Sequence, residues 1–318
     1  MTVKGCITTG ADVADETRQF NAGVAELLAG QPPLEEIDDA PAIRAARENG
    51  TGVLPAPVRV AEAVNRTIPG RDGGVPVRVF RPEEVRGVFL HIHGGGWTLG
   101  TADSQDPLLW GLAQAANVAV VSVEYRLAPE HPYPAGPDDC EDAARWLIAE
   151  AAAEFGTDRL VIGGESAGAH LAAVTLLRLG ERARAFAGAQ LTFGAYDLSM
   201  TPSQRDARDM LVIPTGTMAW FYDQFLPGMS PEERRAPDIS PLYADLRGMP
   251  PARFTVGTRD PLLDDSLFMA ARWEAAGNET ELEVVAEAAH AFIAWPLTVA
   301  ERELEAQLAY ITAKVAKE

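Results

Sequence analysis

The sequence predicts an α/β fold, with a mostly parallel central sheet flanked by helices and carrying a helical cap, all in a single domain over residues 1–318. Three observations predict it. Strand-like apolar runs alternate with segments of helical period, the pattern of strands crossing over through helices. The apolar run at 159–163 leads through Gly164-Glu165-Ser166-Ala167-Gly168 into a helical pattern at 167–179, with Leu171, Val174 and Leu177 at helical spacing. A second apolar run, 88–93, passes straight into Gly94-Gly95-Gly96. No internal repeat and no long Gly/Ser linker divides the chain, and 318 residues suffice for one large core.

In chain order, residues 1 to about 50 are helix-rich, with Phe20, Val24, Leu27 and Leu28 offering an apolar face, and they form the first part of the cap. The strand at 88–92, the strand at 159–163 with its helix, and a strand at 189–194 follow. A second insert, from about 197 to 239, supplies the rest of the cap. Within it Met218, Trp220, Phe221 and Phe225 make an apolar helical face bounded by Pro214 and Pro227. The chain ends with a strand at 252–258, a helix at 266–276, a strand at 281–285 and a helix at 299–317.

Ser166 falls on the turn between strand and helix. A tight turn of this kind forces its central residue into a strained conformation and brings the flanking backbones close, which suits Gly164 and Gly168. It also aims a helix N-terminus at the serine oxygen, where free N–H groups favour a developing oxyanion. The glycines at 94–96 expose backbone N–H groups without side chains to block an approaching carbonyl, and preorganised donors of that kind contribute several kcal/mol to a transition state. Together the two segments point to acyl transfer.

Three segments, His93-Gly94-Gly95-Gly96-Trp97, the run Tyr125-Arg126-Leu127-Ala128-Pro129-Glu130-His131-Pro132-Tyr133-Pro134-Ala135, and Gly164-Glu165-Ser166-Ala167-Gly168, resemble the hormone-sensitive-lipase family of bacterial carboxylesterases, from about residue 75 to the C-terminus. The resemblance implies an α/β-hydrolase fold with a helical cap, no cofactor, and hydrolysis of carboxylic esters with short or medium acyl chains. It also implies that Gly95, Gly96 and Ala167 donate to the oxyanion. The chain departs from the family's commonest pattern at Glu165, where Asp is usual, and at Ala291, where Gly is usual after the catalytic histidine.

A serine needs a base within hydrogen-bond reach and a third group to orient that base. Of five histidines, His290 follows the last strand and precedes Phe292 and the final helix, where the order Ser, acid, His puts the base. Asp260, after the strand at 252–258, is the expected acid and matches the family's acid by position. Asp264 and Asp265 compete but fall at a helix start, where acidic residues commonly serve the helix dipole. His91 and His93 share a strand face at a spacing that could hold a metal, yet no His or Cys cluster follows, so no metal is expected. His93, with Gly94, is expected to shape the glycine loop, and His91 and His170 to be packing residues. Trp97, Met218, Phe221 and Phe292 are expected to line a substrate pocket.

Forty-six acidic against 27 basic residues give a net charge of -19, which argues against nucleic acid and anionic membranes as partners. No apolar run is long enough for a membrane span and no N-terminal hydrophobic segment reads as a signal, so a cytoplasmic protein is expected. Cys6 and Cys140, without metal spacing, suit a reducing compartment. The expected partner is a small-molecule ester; a homodimer through an edge strand or the C-terminal helix is compatible with such a fold. Lactones, thioesters and amides would answer to the same triad, and a non-catalytic small-ligand binder is the reading from another class.

Overall fold

The computed structural model describes residues 2–3, 10–52 and 55–316. Cys6 therefore lies outside the described residues. The described residues form, in order, β1 (Thr2–Val3), α1 (Ala11–Leu28), α2 (Leu34–Ile37), α3 (Ala40–Glu48), β2 (Val64–Ile68), β3 (Val75–Phe80), β4 (Gly87–Ile92), α4 (Asp106–Ala116), β5 (Val118–Val123) and α5 (Ala135–Phe155). Then come β6 (Leu160–Glu165), α6 (Ala167–Leu179), β7 (Phe186–Thr192), α7 (Pro202–Arg205), α8 (Thr215–Phe225), β8 (Ala252–Arg259), α9 (Leu263–Ala275), β9 (Thr280–Ala289) and α10 (Thr298–Val315).

The strands make one sheet in the order β1-β9-β8-β7-β6-β4-β5-β3-β2. Among the described strands β3 alone runs opposite to the rest, pairing antiparallel with both β2 and β5. Parallel strands are covered on both faces, so their sequences are apolar throughout rather than alternating. Every residue of β4 and β5 is buried for this reason. Val88, Leu90 and Ile92 share a core with Leu147 of α5 and Leu171 of α6. Phe89 points the other way, into a cluster with Leu109 of α4 and Ile311 of α10.

The last strand departs from expectation. β9 extends to Ala289 rather than ending at 285, so His290 follows it immediately. Glu and Ala have little strand preference by themselves, and here pairing with β8 overrides it. The register slips between Gly257 and Arg259, and Glu287 adopts a positive φ of 59° with its N–H donating to Thr258 Oγ1, a local irregularity that keeps the strand paired to Ala289.

The two segments expected to form the cap meet through α2 and α8. Thr217 Oγ1 donates to Glu35 at 2.7 Å and Trp220 Nε1 donates to Asp38 at 2.7 Å. α1 takes a different place, against β9 and α10, with Phe20 packed on Trp295 at 5.5 Å. The N-terminal segment thus contributes to the α8 layer mainly from residue 34 onward.

Candidate active site

Ser166 sits between β6 and α6 at φ 55° and ψ −120°, a backbone conformation that L-residues rarely adopt. Its N–H donates to Thr192 O at 2.9 Å and its carbonyl accepts the N–H of His170 at 3.1 Å, so strand pairing on one side and the first helical turn on the other hold the turn in place. The flanking glycines are required by close approach to β4. A Cβ on either Gly164 or Gly168 would collide with the carbonyl oxygen of Ile92, and one on Gly168 would also stand 2.7 Å from His93 O.

His290 Nε2 lies 3.0 Å from Ser166 Oγ, and its Nδ1 lies 2.9 Å from Asp260 Oδ2. The other carboxylate oxygen of Asp260 accepts the N–H of Leu262 at 2.8 Å. A carboxylate acceptor on Nδ1 fixes the proton there and leaves the Nε2 lone pair facing the serine hydroxyl. Asp260 and His290 are buried, at 1% and 4% exposure. Phe193, just past β7, meets the His290 ring edge-on at 4.8 Å. Ala291 adopts φ 61°, which explains the usual preference for glycine at that point.

The competing carboxylates are occupied elsewhere. Asp265 accepts hydrogen bonds from the N–H groups of Tyr196 and Asp197, from Thr201 Oγ1 and from Gln204 Nε2, fastening the start of the 197–239 insert to α9. Burial pushes its carboxyl up to about 7. Asp264 accepts the N–H of Ser203 at 2.9 Å.

The glycine loop lies beside the elbow. A Cβ on Gly94 would stand 2.8 Å from Glu165 O and 3.4 Å from Ser166 Cβ. Gly95 and Gly96 take φ 118° and 60°. Among the described residues, the N–H groups of Gly95, Gly96 and Ala167 donate to no protein acceptor. His93 steadies the loop: Nδ1–H donates to Gly94 O at 2.8 Å, the ring stacks on Tyr125 at 4.3 Å, and Tyr125 OH donates to His93 O. Burial lowers His93 to about 4, which keeps it neutral. His91 is bound otherwise, with Nδ1 3.0 Å from Ser122 Oγ and Nε2 3.1 Å from Glu165, whose carboxylate also accepts from Gln105. Burial would raise the Glu165 carboxyl, but the His91 ring and these hydrogen bonds outweigh it and leave the group below its usual range. Among the described residues no group of three or more His, Cys, Asp or Glu side chains is arranged to hold a metal ion.

The four residues expected to line a pocket lie in two places. Phe221, on α8, has its ring against Gly96, and Met218 lies one turn earlier on the same helix. All four are buried, Trp97 and Met218 at 3%, Phe221 at 7% and Phe292 at 1% exposure. Trp97 stacks on Phe225 at 4.9 Å, and Phe292 belongs to a cluster with Phe193, Val285 and Leu297 beneath the His290 loop. Phe193 was missed as a neighbour of the site. The position of Phe193 at the carboxyl end of a central strand was the available clue.

Residues 89–294 match the family model described as alpha/beta hydrolase fold. Carboxylesterase NlhH of Mycobacterium tuberculosis is 38% identical over 250 residues, covering 74% of this chain and 76% of that protein. Ethyl acetate hydrolase of Pseudomonas putida is 35% identical over 236 residues, covering 70% and 73%. Among solved structures, the hyperthermophilic esterase from the archaeon Pyrobaculum calidifontis superposes with a TM-score of 0.78 at 29% identity, covering 89% of this chain and 98% of that one. The chain belongs to the alpha/beta hydrolase fold family. Within it the protein is a carboxylesterase, as the resemblance to the hormone-sensitive-lipase family implied. No helix among the described residues is long and apolar enough to cross a membrane.

Proposed function

We propose that this carboxylesterase hydrolyses esters of short to medium acyl chain through Ser166, His290 and Asp260, by way of an acyl-enzyme. Ser166 Oγ attacks the ester carbonyl carbon as His290 Nε2 takes its proton. Asp260 keeps the imidazole in the tautomer that allows this and stabilises the imidazolium. The N–H groups of Gly95, Gly96 and Ala167 receive the charge on the carbonyl oxygen. The tetrahedral intermediate collapses with cleavage of the C–O bond to the alcohol, which takes the proton from His290. Water, deprotonated by the same base, then attacks the acyl-serine; the acid departs, and Ser166 regains its proton.

The observation that carries this reading is the unbroken pair of contacts at His290, 3.0 Å to Ser166 Oγ and 2.9 Å to Asp260. The names of the relatives, a carboxylesterase and an ethyl acetate hydrolase, support small esters as substrates.

The test is hydrolysis of p-nitrophenyl esters of increasing acyl length, with chelator present, by wild type, Ser166→Ala and His290→Ala. Turnover of short esters by wild type and near-complete loss in both variants is the expected result. Full activity in Ser166→Ala would overturn the assignment. A wild type that binds the esters without turnover would point to a ligand-binding protein instead.

A further inference from the structure

His170 lies outside the serine, base and acid, yet its imidazole joins three parts of the site. It is on α6, one turn after Ser166, and its own N–H donates to the Ser166 carbonyl at 3.1 Å. Its Nδ1 accepts from Trp97 Nε1–H at 3.0 Å, and its Nε2–H donates to Ile239 O at 2.8 Å. Trp97 directly follows the glycine loop, and Ile239 ends the 197–239 insert.

Gly94, Gly95 and Gly96 have no side chains with which to pin themselves, so the loop depends on the residues flanking it. His93 holds the start. Trp97 holds the end: it takes a left-handed φ of 58°, its carbonyl accepts from the N–H of Ala128 at 2.9 Å, and its indole is wedged between the face of Phe225 and the edge of His170. The indole N–H is buried and needs an acceptor. Only an imidazole protonated on Nε2 alone meets both partners, and Ile239 O fixes that tautomer. Burial keeps the ring neutral, its pKa lowered to about 4, so the Nδ1 lone pair is available.

We propose that His170 is a positioning residue for ester hydrolysis: through Trp97 it holds the N–H groups of Gly95 and Gly96 in register with the helix that carries Ser166. The proposal rests on the assignment of Ser166 and the glycine loop given above. Donors to an oxyanion act over a narrow range of distance, and misplacement by about 1 Å costs about 100-fold in rate.

The experiment compares wild type, His170→Phe, Trp97→Phe, the double variant and His170→Asn with p-nitrophenyl acetate. Rates are normalised to the sites labelled at Ser166 by an organophosphate ester. His170→Phe keeps the ring and removes both hydrogen bonds, and is expected to lower kcat by about 10- to 100-fold with KM changed less than about threefold. Trp97→Phe should lose a similar factor, and the double variant no more than the worse single, because both break one connection. His170→Asn, whose carboxamide oxygen can still accept from the indole, should recover part of kcat. Unchanged kcat per labelled site in either single variant, or losses that multiply in the double variant, would overturn the proposal. A wild type that is not labelled at Ser166 would remove the underlying assignment and this proposal with it, an outcome distinct from a labelled wild type with unaffected variants.

Discussion

The ring of Phe221 lies flat against Gly96: a methyl group built on that glycine would stand 2.6 Å from the ring's Cε1. The contact joins α8 to the glycine loop, and it places an aromatic wall immediately above one of the proposed oxyanion donors. Phe221 is 7% exposed, so the wall is backed by packing and does not swing freely.

Phe221→Ala should therefore open room beside the scissile carbonyl. Each methylene that finds an apolar surface contributes about 0.8 kcal/mol, close to fourfold in kcat/KM. Over a series of p-nitrophenyl esters from acetate to decanoate, the variant's ratio of octanoate to acetate kcat/KM should rise about 10-fold or more above the wild-type ratio. An unchanged profile would mean that the acyl chain leaves in another direction.

The three carboxylates near the end of β8 should separate by their effects. Asp260→Asn leaves the His290 ring without its carboxylate partner and should lower kcat by about 10³- to 10⁴-fold with little change in the unfolding midpoint. Asp264→Asn should retain most activity. Asp265→Asn turns one of the two oxygens that hold the insert into a donor and so breaks two of the four hydrogen bonds, and its main effect should be a loss of about 2–3 kcal/mol in urea unfolding. A large loss of kcat in Asp264→Asn, with Asp260→Asn active, would reverse the assignment.

Gly168→Ala tests the close approach of α6 to β4. The added methyl group would collide with Ile92 O and crowd His93 O, both backbone atoms at the foot of the glycine loop. Because backbone in the central sheet cannot yield as a side-chain end can, the expected cost is about 3 kcal/mol or more in chemical denaturation, together with reduced activity. Gly111, on α4, has open space around its Cα, and Gly111→Ala is the control, expected to be neutral or stabilising.

Much of this arrangement was legible because it is written in local pattern. The strand, Gly-x-Ser-x-Gly turn and helix around Ser166 came out at their expected bounds within a residue or two, since an apolar run and a helical period adjoin there without ambiguity. Position along the chain located His290 and Asp260, which the fold brings to a common point with Ser166. The end of β9 was not legible, because Glu-Ala-Ala gains its strand conformation from β8 and not from its own preference. Nor were the different contacts of the aromatic residues: Trp97 and Phe221 carry the same apolar signal and are both buried, and only packing in three dimensions stacks one on Phe225 and lays the other against Gly96. His170 reads as a packing residue and is fully buried; its two polar contacts depend on Trp97 and Ile239, distant in sequence and invisible to any periodicity.

Acid stability should carry the signature of the same histidine. Burial holds His170 at about 4 in the folded protein against 6.5 for a free ring. A depressed folded pKa means that the unfolded chain binds the proton first. The contribution of the neutral ring to stability is therefore complete above pH 6.5 and is lost as pH falls through that value toward 4, by about 3 kcal/mol in all. Whole-protein pH profiles mix this with the neutral His93, which acts in the same sense, and with Asp265, whose raised pKa acts in the opposite one. The difference between wild type and His170→Phe isolates it, because phenylalanine has no proton to gain. Urea unfolding of the pair should show wild type clearly the more stable at pH 7.5, with the gap narrowing by about 3 kcal/mol as pH is brought to 4. A gap that stays constant over that range would mean that the ring titrates alike in the folded and unfolded chains, and that its contacts with Trp97 and Ile239 do not depend on its being neutral.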